Sequence, residues 1–339
     1  MTEFVPRSFL RNGHVMTVYA WARKRTFPLL PEPEARLFQV TPDSQVLAHC
    51  HWQPDRATRP TLVALHGLEG SSAAHYMAGL AEKAWKLGWN AVRLNQRNCG
   101  GTEHLSPGLY HSGLTSDVRA VIDELRDRDG LTRIGLVGYS LGGNLTVKLA
   151  AEVADWPGSP VRAAVAISPT IDLERCVVAI ERKSNIPYHF NFVRQLRARM
   201  RRKDRAWPSS FDLTPLNRIW TIRRFDDLYT APYHGFNGAS DYYHRASALR
   251  TVPKIAIPTL ILAAKDDPFV PAEQFAPDVI GDNPNLTVRV EAHGGHCGFV
   301  GEPLNGDDGY WAEATAIEFL EARIGFGSSA QPASARTRP

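Results

Sequence analysis

Six short apolar runs rich in branched residues recur along the chain: TLVALH (61–66), NAVRLN (90–95), RIGLVG (133–138), AAVAIS (163–168), PTLILAA (258–264) and LTVRVE (286–291). Helical spacing separates them, as in Met77, Leu80, Ala81, Ala84 and Trp85 ahead of Gly88, and in Val118, Val121, Ile122 and Leu125 ahead of Gly130. Strands that are apolar without alternation are buried on both faces, and strands alternating with helices form a mostly parallel sheet covered on both sides. An α/β fold is therefore expected. Upstream, RLFQV and VLAHCHW flank the turn residues TPDS, which predicts an antiparallel hairpin at the start of the sheet and eight strands in all.

The alternation stops between residues 171 and 250, where Arg and aromatic residues are frequent. This stretch is too long for a loop and predicts a helical cap inserted after the sixth strand. The remainder reads as one domain over 1–326, followed by a Ser, Ala and Pro-rich tail, 327–339, expected to be disordered.

The segment VGYSLGGN (137–144) sets Ser140 between a buried strand and a stretch with Leu141, Leu145 and Leu149 on one helical face. A serine in so tight a strand-to-helix turn needs small neighbours two residues before and after, and Gly138 and Gly142 are there. Gly143 is expected to let the helix pack on the sheet. The helix N-terminus favours a developing oxyanion, with the Leu141 N–H as one donor. A second donor is expected from the loop HGLEGSS after TLVALH, at the N–H of Leu68.

A serine hydroxyl needs a base, and the base an orienting acid. PTLILAA runs into KDDPFVP and LTVRVE into AHGGHCGF, so the order Ser, Asp, His falls at successive strand ends. Asp266 and Asp267 compete for the acid. Asp267 is favoured because the Asp-Pro-Phe-Val-Pro turn starts on it, and Asp172 is a minor candidate. His296, between small residues, is preferred to His293.

Other chemistries find little support. The glycine segment lacks the pattern of a phosphate-binding loop or a dinucleotide site, so no cofactor is expected. His293 and His296 have no third ligand at convincing spacing, and no metal is expected. The cysteines Cys50, Cys99, Cys176 and Cys297 show no Cys-x-x-Cys spacing and read as free thiols. A net charge of +4 without a binding motif does not point to nucleic acid. No apolar run approaches the ~18 residues of a membrane helix. The N-terminus MTEFVPRSFLRNGH lacks a signal-peptide core, so a cytoplasmic location is expected. The segment RQLRARMRRKDR (194–205) carries seven basic residues against Asp204, and is expected to be a solvated helix face rather than a site for anionic lipid. Trp207, Phe211, Trp220, Phe225, Tyr229, Tyr233 and Phe236 are candidates to wall an acyl pocket.

Eight pieces, in order over residues 9–300, resemble the YheT-like branch of the α/β-hydrolases: FLRNGHVMTVY, LHGLEGSS, LNQRNCGGTEH, YHSGLTSDVRAVI, GYSLGGN, GFNGASDYYHRAS, ILAAKDDPFVP and GGHCGFV. NGHVMT, YHSG with the following Asp117, and DYYHRAS are particular to the branch. The resemblance implies the α/β-hydrolase fold and a carboxylic ester hydrolase using Ser140, Asp267 and His296. It supports Asp267 over Asp266. Membrane attachment of eukaryotic relatives is not carried over. The expected ligand is a small acyl ester of short to medium chain. Two alternatives are an acyltransferase on the same residues and a non-catalytic, ligand-binding member of the fold.

Overall fold

A computed structural model describes residues 3–303 and 307–325; the expected disordered tail lies outside them. Eight strands form one sheet in the order β1-β2-β4-β3-β5-β6-β7-β8. They are β1 (Glu34–Thr41), β2 (Ser44–His51), β3 (Thr61–Leu65), β4 (Asn90–Leu94), β5 (Ile134–Tyr139), β6 (Val161–Ile167), β7 (Thr259–Ala264) and β8 (Leu286–Glu291). The hairpin β1–β2 is antiparallel, and β2 runs antiparallel to β4. All later pairings are parallel.

Helix α1 (Gly13–Ala22) precedes the sheet, α2 (His75–Lys86) joins β3 to β4, α3 (Thr115–Asp129) joins β4 to β5, and α4 (Leu141–Glu152) joins β5 to β6. Along β3, Leu62 and Ala64 belong to one apolar core, while Val63 and Leu65 belong to the other. Both faces are therefore buried, which is why the strand reads as an unbroken apolar run. The route from β3 to β4 on one side and then back past β3 to β5 leaves a crevice at the carboxyl ends of β3 and β5, the usual ligand position in such sheets.

Between β6 and β7 lie α5 (Leu173–Ile180), α6 (Ile186–Ala206), the short α7 (Ile222–Phe225) and α8 (Ala231–Tyr233), and α9 (Ala239–Ala246), which form the helical insertion. A π-helical turn over Asp226–Thr230 links α7 to α8. After β7 come α10 (Pro277–Ile280), β8 and α11 (Trp311–Ile324). Among the described residues, no helix is long and apolar enough to cross a membrane.

The basic run on α6 departs from the expected solvated face. Arg199 and Lys203, one turn apart, are buried with Leu196 and Met200, while Arg194, Arg201, Arg202 and Arg205 face solvent. The Lys203 ammonium donates to Asn98 Oδ1 at 2.9 Å, to the Glu103 carbonyl at 3.3 Å and to the Ser106 carbonyl. Seven like charges read as a surface helix because composition carries no information on which of them has an acceptor beneath it.

A buried ion pair ties the loop after β4 to the start of α3. Arg97 Nε donates to Asp117 Oδ2 at 2.5 Å and Nη2 to Oδ1 at 2.6 Å. Removing one partner of such a pair strands a buried charge, at a typical cost of about 3–5 kcal/mol. Asp117→Asn should therefore lower the urea midpoint by a stability loss of about 3 kcal/mol with an unchanged slope. A loss below about 0.5 kcal/mol would show that the pair is not a structural anchor.

Candidate active site

Ser140 occupies the turn between β5 and α4 with φ 54° and ψ −115°, outside the regions open to most L-residues. Its N–H donates to the Ile167 carbonyl at 2.9 Å, and its carbonyl accepts the N–H of Asn144 at 3.1 Å and of Thr170 at 3.3 Å. A Cβ on Gly142 would stand 2.5 Å from the Leu65 carbonyl oxygen, and one on Gly138 would run into the Gly142 carbonyl and Thr146 Oγ1. Helix and strand cross too closely there for any side chain. A Cβ on Gly143 would meet both Pro169, in the loop after β6, and the Gly138 carbonyl of β5 at 3.2 Å, so this glycine lets the helix lie close to the sheet.

Three of the expected residues meet at the crevice. Ser140 Oγ lies 2.9 Å from His296 Nε2, and His296 Nδ1 lies 2.9 Å from Asp267 Oδ2. A carboxylate only accepts, so Nδ1 carries the proton and Nε2 is left to accept from the serine hydroxyl. Asp267 Oδ1 accepts the N–H of Phe269 at 2.8 Å and of Val270 at 3.0 Å. The turn after β7 thus fixes the carboxylate, and the Phe269 ring packs edge-on against the imidazole at 4.7 Å. Burial disfavours the imidazolium, but the Asp267 carboxylate, joined by Cys297, outweighs it and holds the His296 pKa well above its ordinary value.

The competing candidates have other partners. Asp266 Oδ1 accepts the Gly295 N–H at 2.9 Å, so it braces the loop that carries His296. His293 Nδ1 approaches Asp266 Oδ2 at 3.4 Å without a hydrogen bond between them. Asp172 caps α5 and pairs with Arg175 at 3.1 Å.

Thr17 of α1 was not anticipated. Its Oγ1 accepts the His296 N–H at 2.8 Å and donates to the Gly13 carbonyl at 2.6 Å. The only trace in the sequence is that Thr17 ends the NGHVMT motif. The other branch motifs meet at Asn144, whose amide donates to the carbonyls of Ser112 at 2.8 Å and Ala246 at 2.9 Å and accepts the Ala248 N–H at 2.8 Å. YHSG and DYYHRAS are thereby fastened to the helix that begins at Ser140.

Leu68 and Leu141 both border the cleft with Ser140 and His296. A Cβ on Gly67 would lie 3.2 Å from the Ser140 Cβ, so the HGLEG loop passes directly over the serine. Leu141 opens α4, where the first N–H groups have no intrahelical acceptor.

The cleft opens to solvent at its mouth. Its apolar wall comes from Leu173, Val177 and Ile180 of α5, Phe192 and Leu196 of α6, and Phe225. Of the seven aromatics proposed for that wall, only Phe225 lines it. Trp220 is 63 % exposed, and Trp207 Nε1 donates to the Glu103 carbonyl at 2.9 Å. Aromatic content without periodicity does not reveal which helix face turns inward.

The sequence profile of the alpha/beta hydrolase family matches residues 46–305. The chain belongs to that family. Within it, the chain is 36 % identical over 304 residues to the YheT protein of Escherichia coli, covering 89 % of this chain and 88 % of that one. It is 30 % identical over 250 residues to the monoacylglycerol lipase of Saccharomyces cerevisiae, covering 71 % of this chain and 55 % of the relative. Among solved structures, an esterase of Pyrococcus furiosus superposes with a TM-score of 0.57 at 18 % identity, covering 90 % of this chain and 98 % of the esterase. That likeness is one of fold. This family member is placed in the YheT-like branch by the first of these relatives.

The Asp267–His296 contact generates a measurable expectation. Followed by NMR, the His296 imidazole should titrate above the ordinary value of about 6.5, and Asp267→Asn should bring its pKa down. Titration at or below the ordinary value in the unaltered protein would contradict the pairing.

Proposed function

We propose that the protein is a serine carboxylic ester hydrolase that acts on short to medium-chain acyl esters through an acyl-enzyme on Ser140. The unbroken hydrogen-bond line Ser140–His296–Asp267 at the floor of an apolar cleft carries this reading. In the first half-reaction, His296 Nε2 takes the hydroxyl proton as Ser140 Oγ attacks the ester carbonyl. Asp267 balances the imidazolium, and the N–H groups of Leu68 and Leu141 receive the oxyanion. The proton then passes to the departing alcohol, leaving the acyl group on Ser140. In the second, His296 activates a water that attacks the acyl carbonyl, and the acid leaves with Ser140 restored.

The lining of the cleft supports an acyl chain as the bound group, since Leu173, Val177, Ile180, Phe192 and Leu196 give it an apolar wall beside Ser140. The names of the YheT-branch relatives, among them a lipase, support ester cleavage as the chemistry. The expected ligand is a small acyl ester, with no cofactor, and the cytoplasm remains the expected location. Acyl transfer to an alcohol uses the same acyl-enzyme and differs only in the second nucleophile.

A 4-nitrophenyl ester series from acetate to laurate tests the reading. Turnover should peak between butyrate and octanoate, and Ser140→Ala should lose about 10³-fold or more. Because only neutral His296 accepts the serine proton, kcat/KM should rise with pH through a limb lying above about 6.5. No turnover at any chain length would sink the ester reading, and undiminished turnover in the Ser140 variant would sink the nucleophile. Ethyl esters among the products in added ethanol would shift the assignment toward acyl transfer.

A further inference from the structure

The cap reaches the HGLEG loop through one arginine. Arg199 of α6 is only 2 % exposed. Its Nη1 donates to Glu69 Oε1, and its guanidinium lies 4.6 Å from the centre of the Tyr110 ring. Glu69 directly follows Leu68. Its φ of 56° lies in the left-handed region, which glycine enters freely and a glutamate does not. A side chain at such a position must gain contacts that a glycine lacks. Those contacts are the bond to Arg199 and a two-way link to Tyr110, whose hydroxyl accepts the Glu69 N–H at 3.1 Å and donates to Glu69 Oε1 at 3.0 Å.

The other side of Leu68 is held without the cap. The Gly67 N–H donates to the Tyr76 hydroxyl at 3.3 Å, and the Gly70 N–H closes a turn onto the Gly67 carbonyl at 3.0 Å. The peptide bearing the Leu68 N–H is therefore fixed from the hydrolase core on its upstream side and from the cap on its downstream side. One turn further along α6, Lys203 is anchored in the loop after β4 independently of Glu69. Loss of the Arg199 contact thus leaves the helix with a second attachment.

We infer that Arg199, Glu69 and Tyr110 form a clamp by which the cap sets the direction of the Leu68 N–H, so that all three are positioning residues for the oxyanion. The clamp rests on the acyl-enzyme reading above. It makes turnover, and not only substrate fit, depend on the cap. The proton and charge transfers of the reaction do not pass through it.

The test uses the full chain and 4-nitrophenyl acetate, whose acyl group is too short to report on the cap wall. Tyr110→Phe removes both links to Glu69 while leaving the ion pair, and Arg199→Met removes the ion pair. Each should lower kcat by about 10²-fold with KM changed by less than about threefold, the pattern of a group that acts in the transition state. Arg199→Lys, which keeps the charge, should recover most of the loss. Should Arg199→Met fail to fold, Tyr110→Phe decides.

A lower melting temperature with kcat unchanged in both variants would make the cluster a purely structural pair and overturn the clamp. So would an effect confined to KM for the longer esters, which would make Arg199 a wall of the acyl pocket. An unaltered protein that turns over no ester, or an equally active Ser140→Ala, would instead show that the acyl-enzyme reading had failed and the clamp with it.

Discussion

The parallel pairing of β3 with β5 sets Leu65 beside Gly138, so the two turns that leave these strands emerge side by side. The first carries HGLEG and the second carries Ser140. Their closeness is limited by backbone alone, since Gly142 of the helix lies against the Leu65 and His66 carbonyls with no room for a methyl group. This contact aims the Ser140 hydroxyl out of the sheet and puts the Leu68 peptide over it. A side chain at either glycine would push the helix off the strand and separate the two turns.

The remaining members of the candidate site come from later strand ends, one held by a part of the chain remote in sequence and the other by its own turn. The His296 backbone is fixed by Thr17 of α1 and by the Asp266 bond to Gly295. Asp267 is fixed by the N–H groups of its own turn. The cap is fastened through Asn144 to the helix that starts at Ser140, and through Lys203 to the loop after β4. The candidate site residues are thus held through hydrogen bonds that involve backbone N–H groups, while the buried cations Arg97, Arg199 and Lys203 bind the HGLEG loop and the loop after β4 to their neighbours. A buried ion is a costly lock unless it is paired and hydrogen-bonded.

Most of the architecture was legible because its signals are local. Burial on both faces writes itself into β3 and β5 as apolar runs without alternation. The turn at TPDS announces the hairpin, and the loss of alternation after Ile167 announces the inserted helices. The order of Ser140, Asp267 and His296 could be read from strand ends, because a parallel sheet places all its carboxyl ends on one edge. Less was legible in the cap. The basic run and the scattered aromatics have the composition of a surface and of a pocket, yet Lys203 is buried beneath the first and Trp220 is exposed from the second. Orientation there depends on which loop lies beneath each helix turn, and that information is held in residues about a hundred positions away.

By itself, then, the sequence determined the layering, the strand order's starting hairpin, the elbow at Ser140 and a short list for its partners, because periodicity, turn chemistry and strain act over a few neighbouring residues. Only the tertiary structure decided between Asp266 and Asp267 as the neighbour of His296, since adjacent residues differ in direction rather than in composition. It also decided that Glu69 turns toward Arg199, and that Thr17 supports the histidine loop. A hydrogen bond is set by distances of a few ångströms between segments that the chain order keeps far apart, and those distances exist only once the sheet has assembled.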